Sequence, residues 1–346
     1  MNRRNFTRTI STGAATAAVG LLNAKPFSPV VKQSFKAQRL RSGQTVGLIT
    51  PGSYIADEAL EKAVTNLENL ELKVLLGKHA RAKRGYTAGT DQERLADLHA
   101  MFADREVAAI WCARGGYGCS RLLPYLDYKL IRKNPKLLIG YSDITALLNA
   151  IYERTGLVGI HGPVGASEPT AYTVDQLQKV LMEGMTPYTI RLCEENQKET
   201  ATEFEAYTIR EGEAQGRLVG GNLSLMAAMA GTAYQPNTKG CLVFLEDVGE
   251  KPYRIDRMLT QVRQSYHLES AAGIALGIFA DCEADADDLS LSLKECLNDR
   301  LGDLGIPVMY GFSFGHIANQ CTLPIGINAR MRTADQTITL LETAVV

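Results

Sequence analysis

From about residue 44 onward, short apolar runs alternate with stretches whose apolar residues recur at helical spacing. Residues 45–50 form an apolar run stopped by Pro51 and Gly52, the pattern of a buried strand. Leu60, Val64 and Leu67 follow on one helical face, and residues 73–76 predict a second strand. Thr90 and Glu93 have capping-box spacing, and Leu95, Leu98 and Phe102 give the helix behind them its apolar side. Residues 107–112 and 137–140 predict a third and a fourth strand. Ile144, Leu147, Leu148 and Ile151 predict the next helix, and residues 158–163 a fifth strand ending in a turn. Such alternation implies a parallel sheet covered on both faces.

Residues 165–215 break the rhythm with Pro169, Pro187, several threonines and acids around Glu194 and Glu195. One helix is predicted there, over about 174–182. The chain therefore divides into a first α/β domain over 40–165, a linker over 166–215, and a smaller mixed α/β domain over 216–346. The second domain shows strands at 241–245, 274–278 and 308–310, helices at about 253–264 and 289–297, and a hairpin over 325–341 that turns near Thr333 to Asp335.

Length supports the division, since 346 residues suggest two domains. With 45% hydrophobic and 22% charged residues, the chain can bury a core and is not of the disordered class. It has no apolar run of about 18 residues and hence no membrane-spanning helix. A net charge of −1 and a single tryptophan, Trp111, give no basic patch or stacking stripe for nucleic acid. Enzymes and small-molecule binders remain.

Residues 1–24 read as an address. Arg3 and Arg4, then Phe6, precede a weakly apolar stretch from Ile10 to Leu22, which resembles a twin-arginine export signal. Export would place the chain in the periplasm or beyond. The competing reading is a basic tail on a cytoplasmic protein. Removing the segment would remove three arginines and no acid, taking the net charge from −1 to −4. The seven cysteines contain no C-x-x-C pair, and an odd number cannot complete a disulfide framework. Buried free thiols are expected at positions such as Cys112 and Cys241.

In a parallel sheet, ligands meet the carboxyl ends of strands. Ser142 lies at such an end, where a strand passes into a helix. It is either a nucleophile on a sharp turn or an ordinary helix cap. Arg114, Gly115, Gly116, Tyr117 and Gly118 follow the third strand. Without a phosphate-loop or dinucleotide fingerprint, this loop suits an oxyanion hole better than a nucleotide. Of five histidines, His161 and His316 are the candidates for a base. Glu246 follows a buried strand and could orient a histidine, or it could belong to a solvated acidic turn with Asp247 and Glu250. No H-E-x-x-H, EF-hand loop or His/Cys cluster suggests a metal.

Taken in order, the residues about Arg114–Gly118, Ile139–Thr145, His161–Pro163, Gly220–Leu223, Leu245–Glu250 and Gly315–His316 resemble the LD-carboxypeptidases, or muramoyltetrapeptide carboxypeptidases. The resemblance spans about residues 44–342. It implies a flavodoxin-like parallel-sheet N-terminal domain, a smaller mixed α/β C-terminal domain, and an active site at their interface. It implies a triad of Ser142, Glu246 and His316, with His161 left to a structural or pocket-lining place. Oxyanion donors would be the backbone N–H groups of Gly116 and Asp143, and Arg114, Tyr117, His161 and Asn222 are candidate pocket residues. The resemblance implies release of D-alanine from a murein tetrapeptide or related muropeptide, no metal or organic cofactor, and a homodimer. Two alternatives stand beside it: a hydrolase of the same fold that inactivates a peptide-nucleotide antibiotic, and a catalytically inactive wall-peptide binder.

Overall fold

The computed structural model describes residues 34–285 and 287–346. The twin-arginine reading concerns residues 1–24, which lie outside the described residues.

The chain begins as a regular alternation: β1 (Thr45–Ile49), α1 (Asp57–Glu68), β2 (Lys73–Leu76), α2 (Asp91–Ala103), β3 (Val107–Cys112), α3 (Tyr128–Lys133), β4 (Leu137–Gly140), α4 (Thr145–Thr155) and β5 (Gly159–His161). The Thr90 hydroxyl accepts from the Glu93 N–H while the Glu93 carboxylate accepts from the Thr90 N–H, so the expected capping box starts α2. These five strands are mutually parallel and are ordered β2-β1-β3-β4-β5, the flavodoxin-like arrangement. Strands β4 and β5 are buried at every residue, as strands covered on both faces must be.

The segment expected as a linker carries α5 (Ala171–Leu177), β6 (Tyr188–Arg191) and β7 (Tyr207–Arg210). Both strands have the sequence Tyr-Thr-Ile-Arg, and they form the two outer edges of a second sheet. Its interior follows: β8 (Glu213–Asn222), α6 (Leu223–Met229), β9 (Leu242–Val248), α7 (Pro252–Tyr266), β10 (Gly273–Ala280), α8 (Leu293–Leu301) and β11 (Val308–Gly315). Then β12 (Leu323–Ile325) returns to the first sheet and pairs antiparallel with β5, before β13 (Asn328–Arg332) and β14 (Thr337–Leu340) close the second. The second sheet has eight strands in the order β6-β14-β13-β8-β9-β10-β11-β7, parallel from β8 to β11 and antiparallel elsewhere. The α/β class is as expected.

Helix α8 starts at Leu293 rather than near Leu289. Ser292 and Glu295 form a reciprocal capping box there, and Leu289 is fully exposed. Strand β11 continues through Gly311 to Gly315, where a glycine-flanked loop was expected.

Helix α4 is fixed to the second sheet by a buried polar seam. The Asn149 amide donates to the Gly220 carbonyl at 2.8 Å, and the Asn222 N–H donates to the Thr145 hydroxyl at 3.0 Å. A side chain on Gly221 would meet Thr145, with Cβ 2.5 Å from its Oγ1. The helix behind Ser142 and the sheet that carries Glu246 are thus joined by specific bonds, each worth about 1 kcal/mol net and costly to leave unmade.

Candidate active site

Ser142 is the second residue beyond β4, and its φ of +62° is left-handed. That conformation costs a non-glycine residue about 1–2 kcal/mol. It belongs to the short, sharp passage from strand to helix that exposes a side chain at the top of a sheet. The cap alternative has no bond to rest on: no side chain caps the turn at 142–144 or helix α4. The Ser142 hydroxyl lies instead 3.0 Å from His316 Nε2.

His316 directly follows β11. Gly315, at φ +128°, brings the chain so close to β10 that a Cβ would sit 2.5 Å from the Ile278 carbonyl oxygen. The register of β10 against both neighbours shifts at residues 276–279. Such an irregularity re-aims side chains at a sheet end. His316 Nδ1 lies 2.7 Å from Glu246 Oε2. With Nδ1–H donating to the carboxylate, Nε2 is left to accept the Ser142 proton.

Glu246 lies on β9, opposite Asn222 of β8, and is fully buried. Its Oε1 has no partner among the described residues. A buried carboxylate so placed favours a positive charge on the imidazole beside it. Burial pulls the His316 pKa down, but the hydrogen bond and charge of Glu246, with Asp247 adding charge, outweigh it and hold the pKa above the ordinary histidine value.

The three clustered acids have three separate partners. Asp247 is buried and accepts from the Ser224 hydroxyl and N–H and from the Asn222 amide. Burial and the neighbouring Glu246 charge push its pKa up to about 6, against the pull of those bonds. Glu250 faces Arg254 at the surface, 3.4 Å away.

Asp143 is buried, and its Oδ2 accepts from the Cys119 N–H at 2.9 Å. It thereby ties the loop after β3 to the turn after β4; burial, partly offset by these donors, raises its pKa. In that loop Gly115 abuts Ser142, and the Gly116 N–H donates to no acceptor among the described residues. Arg114 is half-buried and Tyr117 is exposed at the rim. Asn222 is not at the rim. It is buried, its amide donates to Asp247, and its carbonyl accepts from the Leu225 N–H to cap α6.

His161 does not touch Ser142. It is buried among the rings of Phe244, Phe314 and Tyr141, and neither ring nitrogen has a partner among the described residues. Burial, opposed by Glu246 and assisted by His316, lowers its pKa to about 4, so the ring is neutral. The other histidines are engaged elsewhere: His79 with Asp97, His99 as acceptor from the Asp127 N–H, and His267 at the end of α7.

Two residues passed over in the sequence help build the site. Ser53, just past β1, donates its N–H to the Gly115 carbonyl and accepts from the Tyr117 N–H. The strand-end rule that singles out Ser142 applies equally to it. Tyr141 packs edge-to-face on His316 at 4.9 Å, an orientation no sequence pattern announces. Among the described residues no His/Cys/Asp/Glu group gathers in a form able to hold a metal ion.

Comparison with known proteins adds to this geometry. Residues 46–162 match the LD-carboxypeptidase N-terminal domain, and residues 215–331 the LD-carboxypeptidase C-terminal domain. The chain is 42% identical over 309 residues to a "Probable murein peptide carboxypeptidase" of Bacillus subtilis, covering 89% of this chain and 95% of the relative. It is 35% identical over 289 residues to the "Murein tetrapeptide carboxypeptidase" of Pseudomonas aeruginosa, covering 82% and 92%. A crystal structure of an MccF-like protein from Bacillus anthracis superposes with a TM-score of 0.79 at 31% identity, over 89% of this chain and all of that one.

Proposed function

The chain belongs to the LD-carboxypeptidase family, and from that premise we propose that it is a serine carboxypeptidase that releases the terminal D-alanine of a murein tetrapeptide. The observation that carries the mechanism is the continuous hydrogen-bonded run from Glu246 through His316 to Ser142. Ser142 comes from the end of the first sheet, Glu246 and His316 from the second.

Ser142 Oγ attacks the carbonyl carbon of the bond between an L-configured centre and D-alanine. His316 Nε2 takes the hydroxyl proton, while Glu246 holds Nδ1–H and balances the imidazolium charge. The developing oxyanion is received by the N–H groups of Gly116 and Asp143, in loops bound together by the Asp143 carboxylate. His316 then gives its proton to the departing nitrogen, and D-alanine leaves an acyl group on Ser142. Water, deprotonated by His316, cleaves that ester and restores the hydroxyl. Loss of one oxyanion donor in such a site costs about 100–1,000-fold in rate.

Parallel assays on purified murein tetrapeptide and on an aminoacyl sulfamoyl adenylate test the substrate class. The reading expects D-alanine from the first at a rate well above hydrolysis of the second, and the reverse order would replace it with a nucleotide-directed hydrolase. The twin-arginine pattern of residues 1–24 supports export, and the resemblance supports a homodimer. N-terminal sequencing of fractionated cells and sedimentation of the purified chain test these two points.

A further inference from the structure

Two cations beside Tyr54 have no part in the chemistry above. Arg114 adjoins Gly115, the residue against Ser142. Its Nη1 donates to the Tyr54 carbonyl at 3.0 Å, and among the described residues it pairs with no carboxylate. Lys83 stands over the exposed ring of the same Tyr54, Nζ 5.7 Å from the centroid, again with no carboxylate partner among the described residues. Three nearby arginines differ: Arg81 pairs with Asp57, and Arg94 and Arg121 both pair with Asp91. Arg114 and Lys83, the two side chains that bracket Tyr54, have no such carboxylate among the described residues.

The position is also built. The Ser53 hydroxyl holds the Tyr117 N–H at 3.0 Å, and its N–H holds the Gly115 carbonyl at 3.2 Å, which fixes the loop from which Arg114 projects. One backbone bond orients the guanidinium and leaves its other N–H groups to fork onto a planar anion. An exopeptidase that removes a terminal amino acid must sense a free carboxylate close to the reacting bond.

We propose that Arg114, assisted by Lys83, is the receptor for a carboxylate of the substrate. This rests on the carboxypeptidase reading. The carboxylate is either that of the leaving D-alanine or the α-carboxylate of the D-glutamyl residue of the stem, and the chemistry of recognition is the same for both.

The test compares wild type, Arg114→Gln, Arg114→Lys and Lys83→Gln on three synthetic peptides: the free tetrapeptide, its C-terminal amide, and the peptide with its D-glutamyl α-carboxylate amidated. Release of D-alanine or D-alaninamide gives kcat and KM, and thermal melting checks each variant's fold. Wild type is expected to lose about 10–100-fold in kcat/KM on one of the amides, the worth of a charge-assisted pair. The amide that suffers identifies the source. Arg114→Gln should lose a similar factor on the free acid, mainly in KM, and treat acid and amide alike. Arg114→Lys should recover part of the loss, and Lys83→Gln should lose less. Wild type that releases product equally from all three peptides, or Arg114→Gln that keeps full discrimination, overturns the receptor alone. Folded wild type that releases nothing from any peptide overturns the carboxypeptidase reading and the receptor with it.

Discussion

Gly115 and Ser142 stand so close that a Cβ built on the glycine would lie 2.9 Å from the serine Cβ and 3.2 Å from its hydroxyl. The loop after β3 and the turn after β4 interlock at this point, and the Asp143 carboxylate holds them together through Cys119. The environment of Ser142 is therefore set by a residue with no side chain.

A methyl group at position 115 should displace Ser142 by a few tenths of an ångström. Gly115→Ala is expected to lower kcat by about 10–100-fold, the scale of sub-ångström misplacement of a reacting group. Overpacking would cost about 1–3 kcal/mol of stability. Steady-state kinetics with a urea melt checks both. An unchanged kcat would mean that Ser142 has room to relax without loss of alignment.

The acid limb of activity should report His316. The base must be neutral, and its pKa lies above the ordinary histidine value, so kcat/KM should rise with pH through a midpoint above about 6.5. Glu246→Gln removes the charge that raises that pKa. The midpoint should fall and kcat should drop on the order of 10⁴-fold as the tautomer is lost. Linkage works in the opposite direction. The raised pKa contributes stability fully present below about pH 6.5 and lost as pH rises through the folded value. A midpoint unmoved in Glu246→Gln would separate the limb from this pair.

His161 should make the fold acid-sensitive. Its native pKa is depressed to about 4. The unfolded chain therefore binds the proton first, and stability is lost as pH falls below about 6.5. Between pH 7 and pH 5 this one group accounts for about 2 kcal/mol. His161→Phe, which keeps a ring against Phe244 and Phe314, should lose that much less stability over the interval. Urea unfolding at the two pH values measures it, and equal losses in both proteins would count against a neutral buried ring.

How far the site is legible in the sequence differs from element to element. Strand β4 and helix α4 are plain because an apolar run meets a helical stripe at Ser142, and both signals are local. The choice of His316 over His161 is not local. His161 also stands at a strand end beside a tight turn, yet packing leaves it sealed among aromatic rings while His316 reaches Glu246. Spacing along the chain cannot express that difference, and only the resemblance to a family separated the two. Strand β12 gives no local signal because it is three residues long, contains Pro324, and pairs with β5 more than 160 positions away. Strands β6 and β7 are hidden for another reason. Each is four residues of an edge strand inside a segment whose prolines, threonines and acids read as connection. The start of α8 was readable, since Ser292 and Glu295 have the spacing that identified α2.

The thiols should be inert in the native state. All seven cysteines are free and buried. Burial raises their pKa values, to about 11 for Cys241 and about 12 for Cys282, Cys296 and Cys321. The thiolate is the reactive form, so native protein at pH 8 should bind almost no Ellman's reagent, and denatured protein should titrate all seven. Rapid native labelling would reveal an exposed thiol.

The central claim is that Ser142 performs the cleavage. Wild type and Ser142→Ala are incubated with purified murein tetrapeptide, and the products are resolved by mass spectrometry. The account predicts loss of a single D-alanine with wild type, and release reduced by at least about 10³-fold with Ser142→Ala, whose melting temperature stays close to that of wild type. Wild-type turnover by the alanine variant would contradict it.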